Sequence, residues 1–152
     1  MKQPTLAALV GLMLASGPAF AHGDEDSHGT TIGKPGAIAN IASTVTVEMN
    51  DAMRFVPSSI TVRHDDTIRF LVKNSGRLKH DLVLGSVTEL KEHAALMRKF
   101  PSMEHADPNQ VAVDPGMTRE LAWQFTKAGK VDFACLQPGH DEAGMKGNVV
   151  IK

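Results

Sequence analysis

The sequence predicts an all-β domain, an antiparallel β-sandwich or barrel with one inserted helix. Three observations carry this prediction. Short runs alternate apolar and polar residues with period two, the mark of strands with one buried face. Clusters of Gly, Pro, Asn, Asp and Ser separate those runs. One segment alone, between the fourth run and the fifth, changes to helical spacing.

The runs follow in chain order. Val45, Val47 and Met49 alternate with Thr44, Thr46 and Glu48. Ile60 and Val62 alternate in "SITVR", and Ile68, Phe70 and Val72 in "TIRFLVKN". Leu82 and Leu84 alternate in "HDLVLG", Leu121, Trp123 and Phe125 in "ELAWQF", and Val131, Phe133 and Cys135 in "KVDFAC". Val149 and Ile151 close the series in "NVVIK". Turns are expected at Pro57-Ser58-Ser59, Asp65-Asp66, Asn74-Ser75-Gly76, Asp114-Pro115-Gly116 and Ala128-Gly129. Short strands at this spacing suit a two-sheet sandwich. In "SVTELKEHAALMRKF", Ser86 and Glu89 are placed for a capping box, and Leu90, Ala94 and Met97 fall at i, i+4 and i+7. Pro101 ends that helix.

The segments before residue 43 read differently. Lys2, an apolar run over residues 5–15 and Ala19-Phe20-Ala21 have the anatomy of a secretory signal peptide cleaved after Ala21. The alternative, an N-terminal membrane anchor, needs about 20 apolar residues, and this run is shorter. Export to the periplasm is therefore expected, with no membrane span in the mature chain. Residues 22–42 are polar and Gly-rich without a period, and read as a flexible leader ahead of a domain over 43–152. His22 and His28 with Asp24, Glu25 and Asp26 offer that leader a weak copper-capture site, although a solubilising tail explains the same composition. The formal net charge is −1, which gives no argument for nucleic acid as a partner.

The chain has one cysteine. In an exported protein a lone cysteine is an inert core residue, a reactive thiol, an intermolecular bridge or a metal ligand. Cys135 shares the inward parity of Val131 and Phe133. His140 and Met145 follow it in "CLQPGHDEAGM", with Pro138-Gly139 and Gly144 allowing sharp turns. Thiolate, imidazole and thioether together favour copper. The natural second imidazole is His80, at the start of "HDLVLG".

These residues, His80, Cys135, His140 and Met145, resemble the ligand set of the cupredoxins. The text "MRFVPSSITVRHDDTIRFLVKNSGRLKHDLVLG" is also similar to that family's first half. The resemblance covers roughly residues 43–152. It implies a Greek-key β-sandwich holding one type 1 copper, with His80, Cys135 and His140 as trigonal ligands and Met145 as a long axial one. In many family members a polar pair beside the first histidine and the cysteine clasps the ligand loops. Here those neighbours are Asp81 and Leu136, and Leu136 has no side-chain donor.

The resemblance implies one-electron transfer, with a redox partner docking near His140 on a patch of Leu136, Pro138 and Ala143. It extends to periplasmic copper-tolerance cupredoxins, so copper capture and handling is the alternative. No second catalytic cluster is visible and Met145 fills the position a substrate would need, so no enzyme is expected. His93, Met97, Met103 and His105 lie close together and have the chemistry for a second Cu(I). The plainer reading has Met97 packing inward and both histidines solvated. Met49, Met53 and Met117 read as core or strand residues, and His64 as a turn residue.

Overall fold

The computed structural model describes residues 32–101 and 107–152. The described residues form two five-stranded sheets, a single 3-10 turn and one α-helix. In order they are β1 (Lys34–Pro35), the 3-10 turn (Ile38–Asn40), β2 (Ile41–Asn50), β3 (Arg54–Val56), β4 (Ser59–Val62), β5 (Thr67–Asn74) and β6 (His80–Gly85). Then come α1 (Val87–Lys99), β7 (Gln110–Val113), β8 (Thr118–Gln124), β9 (Gly129–Ala134) and β10 (Lys146–Ile151). The expected signal peptide, His22 and His28, Met103 and His105 lie outside the described residues.

The first sheet runs β1-β8-β5-β2-β3 and the second β4-β10-β9-β6-β7. The sandwich is not wholly antiparallel: β2 pairs with β5, and β4 with β10, in parallel. The cause is topological. Between β2 and β5 the chain crosses to the opposite sheet as β4, so β5 re-enters beside β2 in the same direction. Such crossings make the Greek-key sandwich.

The period-two pattern delivers the core between the sheets. Val47, Met49, Ile68, Phe70, Val72, Leu82, Leu84, Trp123 and Phe133 are all essentially inaccessible to water. Edge-to-face aromatic pairs brace it, Phe55 on Phe133 at 5.0 Å and Phe70 on Phe125 at 6.3 Å between ring centroids. Two methionines depart from expectation. Met117 is an exposed loop residue between Gly116 and β8, and Met53 sits in the β2–β3 turn with φ of 57°, half-buried against the core.

Strand β6 is buried on both faces. Leu82 and Leu84 point into the sandwich. Val83 points the other way and meets Leu90, Ala94 and Met97 of α1, together with Ala134 and Leu136. The helix therefore roofs the outer face of the second sheet. Its start is fixed by the expected capping box: the Glu89 amide donates to Ser86 Oγ at 3.2 Å, and the Ser86 amide donates to Glu89 Oε2 at 2.7 Å. Burying Leu90 and Met97 contributes about 1.5–3 kcal/mol each.

Paired structure begins earlier than residue 43. Ile32 is buried, β1 pairs with β8, and Trp123 Nε1 donates to the Ile32 carbonyl at 3.5 Å. A two-residue strand containing proline has no alternation to read, which is why composition alone suggested a leader there.

Gly147 lies where β10 crosses Phe133. A Cβ at that position would overlap the Phe133 ring and the Ser58 carbonyl. Gly147→Ala is expected to destabilise the domain by about 1–3 kcal/mol through overpacking. The check is a lowered denaturant midpoint with an unchanged slope.

Candidate metal centre

Three strands meet at one end of the second sheet. β9 lies antiparallel between β6 and β10. His80 opens β6, Cys135 follows the last residue of β9, and Met145 precedes the first residue of β10. Antiparallel pairing brings that beginning, that end and that beginning to the same edge. The Cys135 amide donates to the Met145 carbonyl at 3.1 Å, and the Met145 amide donates to the His140 carbonyl at 3.0 Å. The loop between them closes on itself through Gly139 and Gly144, whose φ values of 87° and 96° favour glycine.

The result is a triangle of donor atoms. His80 Nδ1 and His140 Nδ1 are 3.2 Å apart, and Cys135 Sγ is 3.8 Å from the first and 3.3 Å from the second. A point equidistant from all three lies about 2.0 Å from each, the length of a metal–imidazole bond and a little short for metal–thiolate. One thiol and two imidazoles form a borderline-soft donor set suited to copper. His80, Cys135 and Met145 are wholly buried, and His140 is half-buried at the rim. Among the described residues, this is the group of His, Cys and acidic side chains that has metal-ligand spacing.

The clasp that Leu136 could not supply from its side chain is made by its backbone. The Leu136 amide donates to Asp81 Oδ1 at 2.6 Å, and Gln137 Nε2 donates to Asp81 Oδ2 at 3.1 Å. The Asp81 amide in turn points at Cys135 Sγ, 3.4 Å away. One buried carboxylate thus joins the two ligand-bearing segments. Leu136 is itself buried beneath α1, so it forms no part of an exposed patch; only Pro138 and Ala143 of the expected three are exposed. Its parity explains this: with Cys135 turned inward, the next side chain turns toward the helix. Exposed apolar side chains also occur at Leu78 and Met117.

Several supports carried no signal as ligands in the sequence. Buried Asn74 donates to the carbonyls of Leu78 and Val113 at 2.8 and 2.9 Å and accepts from the Gly76 amide. It ties the segment before His80 to the end of β7. Arg54 donates to the Ala143 carbonyl at 3.2 Å, and Arg98 pairs with Glu142 at 2.9 Å, so two arginines hold the far side of the Cys135–Met145 loop. Asp51 accepts from the amides of Arg77 and Leu78 and lies 3.1 Å from His80 Nε2. Those contacts, the Arg77 amide foremost, hold its carboxyl below the usual range. Of the second Met/His group, Met97 packs inward and His93 is half-buried. His64 lies in the expected turn, with Nε2 3.0 Å from the Thr126 carbonyl.

Residues 41–152 match the model of a family described as copper binding proteins, plastocyanin/azurin family. The chain belongs to the plastocyanin/azurin family of copper-binding proteins. It is 51% identical over 134 residues to the copper-resistant cuproprotein CopI of Rubrivivax gelatinosus, covering 87% of this chain and 81% of that one. A CopI of the same description from Vibrio cholerae serotype O1 is 40% identical over 101 residues, covering 66% of this chain and 51% of its own. Among solved structures, auracyanin B superposes with a TM-score of 0.65 at 20% identity, covering 82% of this chain and 96% of that one. That likeness establishes the cupredoxin fold. Copper is accordingly this family member's cofactor.

The metal-free site has a definite pH signature. Burial, and next the Asp81 carboxylate, push the Cys135 thiol far above its ordinary 9.0. Burial, and next repulsion from His80, hold His140 below its ordinary 6.5. In the unfolded chain both groups return to ordinary behaviour. The unfolded chain then gains a proton at His140 as pH falls below 6.5 and loses one at Cys135 as pH rises above 9.0. Metal-free stability is expected to be level between those values and to decline on both sides. Thermal midpoints across pH check this, and Cys135→Ala should remove the alkaline decline while leaving the acid one.

Proposed function

We propose that His80, Cys135, His140 and Met145 hold one type 1 copper that cycles between Cu(II) and Cu(I). The observation that carries this reading is the donor triangle, whose three atoms surround one point at about metal-bonding distance. Copper, when bound, supplies the one-electron couple. Two imidazoles and a thiolate suit neither oxidation state fully, so little rearrangement accompanies the change. Met145, buried and next in the chain to β10, would supply a weak thioether donor. We propose no enzymatic step. His140, the half-buried residue at the rim, would be the route for electrons toward a redox partner docking there.

A second reading concerns what the copper chemistry serves. The relatives named copper-resistant cuproproteins favour copper capture and tolerance over respiratory or photosynthetic shuttling. In this reading the mature chain, beginning at His22, works in the periplasm. A strain lacking the gene separates the two uses. Copper sensitivity with intact electron flow supports tolerance, and lost electron flow without copper sensitivity supports a dedicated carrier.

The site itself is tested by titrating residues 22–152 with Cu(II). An intense visible sulfur-to-copper band is expected to saturate at one equivalent. Cys135→Ser is expected to abolish it, and retention of the band in that variant would remove Cys135 from the assignment.

A further inference from the structure

Asp51 lies 29 positions before His80 in sequence, and its carboxylate faces the ring nitrogen of His80 that points away from the donor triangle. We infer that Asp51 is a positioning residue that fixes the His80 tautomer and biases the copper site toward Cu(II). The inference rests on the type 1 site proposed above.

The geometry allows one arrangement of protons. A carboxylate at 3.1 Å from His80 Nε2 makes that nitrogen the donor. Nδ1 then carries the lone pair, and Nδ1 is the atom facing Cys135 Sγ and His140. The carboxylate cannot swing away freely. Its two oxygens also accept from the Arg77 and Leu78 amides, at 2.7 and 3.2 Å. Gly76 leaves room for it, since a Cβ there would overlap Asp51 Oδ1. The β2–β3 turn is thereby locked to the segment that delivers His80.

The electronic consequence follows from charge. A hydrogen-bonded carboxylate makes the imidazole a stronger donor. It also places a negative charge one ring away from the metal, and that charge favours a dication over a monocation. Among the described residues, the contacts of the His140 ring are with His80 and Cys135, with no carboxylate among them. The two imidazoles are therefore unequal, His80 the stronger donor.

The test is Asp51→Asn, which keeps the shape and one acceptor oxygen, able to face Leu78 and His80, but removes the charge and the acceptor for the Arg77 amide. The ratio of Cu(II) to Cu(I) affinity is expected to fall roughly 10-fold, a rise of about 59 mV in reduction potential. Glu48→Gln removes a charge from the end of β2, three residues before Asp51, at a side chain that accepts from Ser75, and should shift the potential much less. In the Cu(I) protein, the His80 Nε2 proton should resonate downfield and exchange slowly, and move upfield in Asp51→Asn. An unchanged potential, or an equal shift in Glu48→Gln, overturns the inference while an intact visible band leaves the copper site standing. Absence of the band in the unsubstituted protein overturns both.

Discussion

The site depends on β9 lying antiparallel between β6 and β10. That arrangement sends the start of β6, the end of β9 and the start of β10 to one edge. His80, Cys135 and Met145 are carried there by backbone hydrogen bonding, before any side chain makes a choice. His140 then needs only a short loop, closed by two left-handed glycines, to complete the set. Because the ligands sit at strand ends, their spacing inherits the rigidity of the sheet. In the function proposed above, such a triangle would suit a metal alternating between two charge states, since each cycle would move few atoms.

Around that frame, polar groups do what the apolar core cannot. Asp81, nearly inaccessible to water, binds the amide of Leu136 and the side chain of Gln137. The Asn74 side chain contacts backbone just before His80, at Gly76 and Leu78, and at the end of β7, at Val113. A buried polar side chain left without partners would cost about 1–3 kcal/mol, so full satisfaction of these groups removes a penalty and narrows the positions of the loops. The same burial that keeps water from Cys135 raises the cost of ionising it. The thiolate is therefore accessible chiefly through exchange of its proton for a metal.

Much of this was legible in the sequence. Alternation located seven of the ten described strands, missing the short β1, β3 and β7, and Ser86, Glu89, Leu90, Ala94 and Met97 located the helix because capping and burial act over a few residues. The candidate metal-binding residues stood out because Cys135, His140 and Met145 lie within one short stretch. What stayed hidden depends on distant pairing. The parallel register of β2 with β5 leaves no mark in either strand. Lys34–Pro35 gains its place only from β8. Leu136 read as a surface residue because the helix that covers it lies some 40 positions earlier. Asp51 comes beside His80 only through the fold, and Asp81 clasps through a backbone amide that no residue type announces.

The parallel pairing of β10 with β4 has a bearing on how the molecule is made. β10 sits inside its sheet, between a strand at residues 59–62 and one at residues 129–134. Contacts between segments so far apart form late and slowly, because the long intervening chain must first give up its freedom. A polypeptide made from its N-terminus cannot close the second sheet until residues 146–151 have emerged. Until then the Cys135 amide lacks the Met145 carbonyl that accepts from it. The cysteine is thus fully enclosed only when the last strand, six residues long, has docked.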